Sequence, residues 1–259
     1  MILAHRVALN GVQLDEVDSR IVIKGIEEAA GKETISAVSP AFGCGQRITN
    51  RHRDTLDVTI KFSLNIRTTE LQERSNIFEA VNRWAAQGGY LTVNYKANRR
   101  IYVVCAQNPG AGDQYERTTV YSITFRAYSI PYWEEETARS VDTGTTSNGS
   151  CSLEVAGSAE TVADISLRNM SGMQINTVNI TGAGKTMRFE SLGLNANETL
   201  TISHTGTGIL QIKIGSRSVM SKRTPSSAND FRMMPGVRTF SFNADRACKM
   251  SVSCRGRFV

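Results

Sequence analysis

Between Thr55 and Ile66 the chain alternates without a break. Leu56, Val58, Ile60, Phe62, Leu64 and Ile66 are apolar, and Thr55, Asp57, Thr59, Lys61, Ser63 and Asn65 stand between them. A period of two places every apolar side chain on one face of an extended strand. Twelve residues at strand rise would reach about 40 Å, well past the usual strand of about 5–6 residues. Such a strand needs either a large sheet or a neighbouring subunit to lie against. A purely helical fold is excluded at once.

The stretch that follows supplies one convincing helix. Thr69 and Gln72 have the spacing of a capping box. Leu71, Phe78, Val81 and Ala85 then form an apolar stripe flanked by Ile77 and Trp84, and Gly88-Gly89 stops the helix. Extended chain is expected from Tyr90 to Tyr95, a polar turn over Lys96 to Arg99, and strand again from Arg100 to Ala106. A glycine-rich loop from Asn108 to Asp113 leads to a strand in which Tyr121, Ile123, Phe125 and Ala127 alternate with polar residues. Pro131 then closes the sheet before Tyr132-Trp133.

Upstream, Ile2 to Leu9 and Val12 to Leu14 flank Asn10-Gly11, the strongest short signal for a hairpin turn. Arg20 to Ile26 is a further strand. The segment containing Gly31, Pro40, Gly43 and Gly45 reads as a long loop that carries Arg47, Arg51, His52 and Arg53, a candidate partner-contacting arm.

From Glu134 to Ser150 the sequence turns to Glu, Thr, Ser, Gly and Asn with little to bury, which reads as a connection. The expected division is residues 1–136, a linker at 137–150, and residues 151–259. The last part holds short strands around Ile165, Met187, Leu200, Leu210, Phe240 and Cys248 to Cys254, separated by glycine-bearing turns. That pattern predicts a β-sandwich.

Charge is uneven. Residues 1–140 carry 17 Lys+Arg against 16 Asp+Glu, and the remainder carries 13 against 8, for a net +6. With no stacking aromatics near the basic C-terminal stretch, a solvated face or an acidic protein partner fits better than nucleic acid. No apolar run approaches the roughly 20 residues of a membrane helix, and the N-terminal residues lack a signal-peptide layout.

Catalytic signatures are missing. The five cysteines (Cys44, Cys105, Cys151, Cys248, Cys254) contain no Cys-x-x-Cys, and His5, His52 and His204 stand apart, so no metal or cofactor is expected. Cys248 and Cys254 share one strand face about 20 Å apart, too far for a mutual disulfide. They read as core residues in a chain made in a reducing cytosol. Gly182-Ala183-Gly184-Lys185-Thr186 has the end of a phosphate loop, but Asn179 stands where its first glycine belongs and Met187 to Phe189 reads as strand. Glu134-Glu135-Glu136 reads as a solvated run. The sequons at Asn148, Asn169, Asn179 and Asn197 are of a kind that Ser/Thr/Asn-rich β proteins produce by chance. Both tryptophans and all seven tyrosines lie at or before position 133, so the C-terminal half has only phenylalanine to offer a sugar ring. Phe189, Phe240 and Phe242 read there as core.

Taken together, the strand from Asp54 to Phe62, the helix ending Val81-Asn82-Arg83-Trp84-Ala85, Gly88-Gly89-Tyr90-Leu91, the hairpin Asn98-Arg99-Arg100 and the closing Ile123 to Ala127 with Pro131-Tyr132-Trp133 resemble siphovirus distal tail proteins. Leu192-Gly193-Leu194-Asn195 and Met234-Pro235-Gly236 are similar in layout to that family's second domain. The resemblance implies a mainly β structural protein: an N-terminal ring-forming sheet domain with one α-helix, then a C-terminal galectin-like or jelly-roll sandwich. It implies a homo-hexameric ring in the virion at the distal end of a phage tail, made in the bacterial cytoplasm. The N-terminal domains would form the ring and the C-terminal domains would project outward. Its implied partners are its own copies, the tail tube protein and the tail-tip hub protein, with the tape measure and receptor-binding proteins as further candidates. No membrane is involved, and DNA is met only in transit through the lumen. Arg47, Arg51, Arg53, Asn98, Arg99 and Arg100 are the candidate interface or lumen residues. Two other readings are a carbohydrate-binding adhesin acting through the sandwich and a sandwich-bearing hydrolase.

Overall fold

The structure is a computed structural model that describes residues 5–29, 33–39, 46–66, 71–109, 120–205 and 209–259. Thr69, Cys44, the tip glycines of the long loop, most of the loop after Pro109, and the turn residues Gly206 to Gly208 lie outside the described residues. The chain divides into two compact units, Met1–Trp133 and Glu134–Val259.

In the first unit the elements are β1 (Val7–Leu9), β2 (Val12–Gln13), α1 (Leu14–Val17), β3 (Ile21–Glu28), β4 (Glu33–Val38), β5 (Arg47–Arg53), β6 (Leu56–Leu64), α2 (Leu71–Ala86), β7 (Gly89–Val93), β8 (Arg99–Gln107) and β9 (Tyr121–Ala127), with β10 (Trp133–Glu135) at the exit. One antiparallel sheet runs β2-β1-β7-β8-β9-β6-β3. Strand β6 buries Leu56, Val58, Ile60, Phe62 and Leu64 on one face. It is central, between β3 and β9, and spans nine residues rather than the twelve expected. Helix α2 lies against that apolar face. Phe78 meets Tyr121 edge-on, Trp84 meets Phe125 in the same way, and the Trp84 indole N–H donates to the Val12 carbonyl at 3.1 Å.

Asn10 and Gly11 both have positive φ, as a two-residue hairpin requires. The Asn10 side chain does more than turn the chain. It donates to the Gly88 carbonyl (2.8 Å) and accepts from the Tyr90 N–H (3.0 Å). A Cβ on Gly89 would sit 2.1 Å from its amide oxygen, so the glycines after α2 also admit the neighbouring turn.

Two further expectations change in this unit. Leu14, expected to end a strand, starts the short helix α1, whose capping box joins Gln13 and Glu16. The long loop carrying Arg47, Arg51 and Arg53 is instead a two-stranded hairpin, β4–β5, with a bulge between Ser36 and Ala37. The hairpin forms a sheet of its own. Its apolar residues do not alternate toward a core, so periodicity could not reveal it.

The second unit continues with β11 (Arg139–Asp142), β12 (Thr146–Val155), β13 (Thr161–Val162), β14 (Asp164–Asn169), β15 (Val178–Gly182), β16 (Lys185–Phe189), β17 (Thr199–His204), β18 (Leu210–Ile214), β19 (Arg217–Ser218), β20 (Arg232–Met233), β21 (Gly236–Cys254) and β22 (Arg257–Phe258). The supposed linker at 137–150 is not one. Strand β11 pairs with β21, and β12 begins at Thr146. Its polar residues satisfy edge strands of this sheet, which bury few side chains. The segments around Phe240 and Cys248 are a single strand, β21. Its first half lies between β12 and β15, and its second between β11 and β14. The expected sandwich layers are therefore two wings of one curled sheet sharing β21. Both wings feed one core that includes Phe189, Phe231, Phe240, Phe242, Cys248, Met250 and Cys254.

The phosphate-loop look-alike is a hairpin turn. Gly182 pairs with Lys185, leaving Ala183 and Gly184 at positive φ between β15 and β16. The acidic run is not simply solvated either. Glu134 accepts from Arg257 at 2.9 Å with both side chains mostly buried, and Glu135 accepts from Arg139 and from the Gly256 N–H.

Candidate assembly surface

The root of the β4–β5 arm is tied down around one carboxylate. Glu28, the last residue of β3, accepts from the Tyr95 hydroxyl (2.7 Å), the Lys96 ammonium (2.7 Å) and the Trp133 indole (2.9 Å). Burial alone would raise its pKa, but these three donors outweigh burial and hold it below the usual carboxylate range. Tyr95 is pushed the other way, by burial and then by the Glu28 charge. The Lys96 ammonium also lies 4.7 Å from the centre of the Trp133 ring. At the arm itself the Thr34 hydroxyl donates to Asp54 at 2.7 Å, and the Arg53 guanidinium lies 5.3 Å from the Tyr132 ring.

Beyond this root the arm exposes Ile35, Val38 and Ile48, the last with 60% of its surface accessible. An isolated two-stranded hairpin is at best marginally stable in water, and this one carries apolar side chains that the described residues leave exposed.

The six sequence candidates fall into two groups. Arg47 opens β5 opposite Val38, and Arg53 sits at the arm root. The Arg51 backbone pairs with Ile35, but its side chain lies outside the described residues. Asn98, with φ of 59°, makes the turn into β8, and Arg99 and Arg100 open that strand. Arg100 stacks on Tyr90 with its guanidinium carbon 3.8 Å from the ring centre. Arg53 of the first group reaches Tyr132, whereas Arg100 of the second reaches Tyr90. Sequence reasoning missed Glu28, Tyr95 and Lys96, because their partners stand 67 to 105 residues away.

Among the described residues no group of three His, Cys, Asp or Glu could hold a metal ion, and no helix is long and apolar enough to cross a membrane. The described cysteines Cys105, Cys151, Cys248 and Cys254 are all free.

No protein-family model matches the chain, and no curated protein does. Solved structures do. The crystal structure of the SPP1 Dit (gp 19.1) protein, presented as a paradigm of the hub adsorption apparatus in phages infecting Gram-positive hosts, aligns at TM-score 0.69 and 13% identity, over 98% of this chain and 99% of that one. The phage P2 baseplate in its activated conformation aligns at TM-score 0.45 and 8% identity over the full length of both chains. From end to end, this chain has the fold of the SPP1 Dit protein.

Proposed function

We propose that the chain is a structural protein of the phage tail tip, a distal tail protein. In this reading six copies form a ring that joins the distal end of the tail tube to the hub, in the virion and without enzymatic activity. The observation that carries it is the end-to-end likeness in fold to SPP1 Dit, over 98% of this chain and 99% of that one. The arm supports it, since its uncovered apolar side chains need a neighbour. A closed ring uses a heterologous interface, in which two different patches of each subunit meet. We assign that interface to residues 1–133 and leave the second unit free to face other tail proteins.

Native mass and electron microscopy of the full chain test the reading. A closed ring of six, retained when the chain is cut after Trp133, is the expected result. A monomer at every concentration, with tube and hub partners present, would overturn it.

A further inference from the structure

The two faces of the first unit differ in charge. On the face opposite α2, strands β1, β2, β7 and β8 contain no acidic residue. There Tyr90 and Tyr102 stand side by side across the β7–β8 ladder with ring centres 5.4 Å apart, and Arg100 lies over Tyr90. Tyr102 is half exposed and Val104 follows it on the same face. The Arg100 Nε is buried against the ring, and among the described residues it has no hydrogen-bond partner and its guanidinium no ion-pair partner. Exposed tyrosine beside an arginine stacked on a ring, with no described counter-charge, is the composition of an interface centre.

The helical side carries the opposite sign. Asp15 and Glu16 are exposed on α1, and Glu79 is exposed on α2, which packs against α1. Neither Asp15 nor Glu79 has an ion-pair partner among the described residues, while Arg83 is the one exposed cation of α2. Val12 adds an exposed apolar side chain beside them.

Side chains alternate across a strand, so these two patches lie on opposite faces of the sheet and cannot meet within one subunit. We infer that they meet between subunits: the Tyr90–Arg100–Tyr102 face of one copy docks on the Asp15–Glu79 side of the next. This deepens the ring reading and rests on it. The arm does not fit the same face, because its described cations, Arg47 and Arg53, would oppose Arg100. The geometry is head-to-tail, as closure of a ring demands.

The test uses the full chain in four forms: wild type, Arg100→Glu, Asp15→Lys with Glu79→Lys, and all three changes together. Sedimentation across a concentration series gives the concentration of half-assembly. Each reversal should raise it at least about tenfold, and the combined chain should recover to within about threefold of wild type. Salt should weaken wild-type assembly, because exposed charges are screened. The milder Arg100→Gln and Glu79→Gln should shift assembly in the same direction if a reversal disturbs folding. Single reversals that assemble like wild type, or a combined chain that fails to recover, overturn the inference and leave the ring reading intact. A wild-type chain that stays monomeric overturns both.

Discussion

The carboxylate of Glu28 accepts the indole N–H of Trp133 at 2.9 Å, joining residues 105 positions apart. The same carboxylate holds Lys96 and Tyr95, so the last residue of β3, the β7–β8 turn and the end of the first unit share one polar centre. The arm leaves from that point.

Replacing Glu28 with Ala should destabilise the first unit by about 2 kcal/mol, since the indole and the ammonium lose their acceptor in a mostly buried site. The pH dependence has a definite sign. A carboxyl whose folded pKa is depressed stabilises the fold above its unfolded pKa, and that contribution fades as pH falls through the folded value. Denaturant midpoints of the full chain at neutral and acidic pH should converge between wild type and Glu28→Gln as the pH drops. Midpoints that differ equally at both pH values would contradict the role given to the charge.

Gly182 should be far less tolerant than Gly184, two residues along the same hairpin. A Cβ on Gly182 would sit 2.2 Å from the Phe240 ring, whereas space around Gly184 is open and only its φ of 74° resists substitution. Gly182→Ala should cost about 1–3 kcal/mol through displaced core packing, and Gly184→Ala only about 1 kcal/mol through the backbone. Equal thermal shifts for the two variants would show that the ring gives way freely.

Asn169 is wholly buried despite standing in a sequon. Its amide donates to the Met173 and Leu194 carbonyls at 2.8 and 3.0 Å and accepts from the Ser171 N–H at 2.9 Å. Asn169→Ala should therefore cost about 2–3 kcal/mol by leaving those groups unpaired. In the folded protein Asn169 should also resist glycan transfer. Modification of the native fold at Asn169, read by peptide mass, would contradict the burial.

Thiol reactivity should follow position. Burial pushes the Cys248 thiol up to about 12 and the Cys254 thiol up to about 11, so neither offers thiolate near neutrality. Cys105, half-buried at the end of β8, is raised too but reaches solvent. Timed alkylation with peptide mapping should label Cys105 ahead of Cys248 and Cys254, which stay untouched until denaturant is added. Early labelling at Cys248 would mean that β21 opens in the native state.

The sequence by itself determined what neighbouring residues can encode. The period of two in Leu56 to Leu64, the stripe of Ile77, Val81 and Trp84, and Asn10-Gly11 with its positive φ each specify an element within a dozen positions, and each element formed. The overall class followed, because apolar faces of those periods must be buried together. Tertiary structure decided what depends on distant partners. Polar segments such as Arg139 to Asp142 became strands because the long strand β21 offered open edges to pair with. The arm became a hairpin although Ile35, Val38 and Ile48 stay exposed among the described residues. Glu28 became the centre of the arm root because a half-buried carboxylate needs donors, and those donors come from a turn and a chain exit that no local pattern connects.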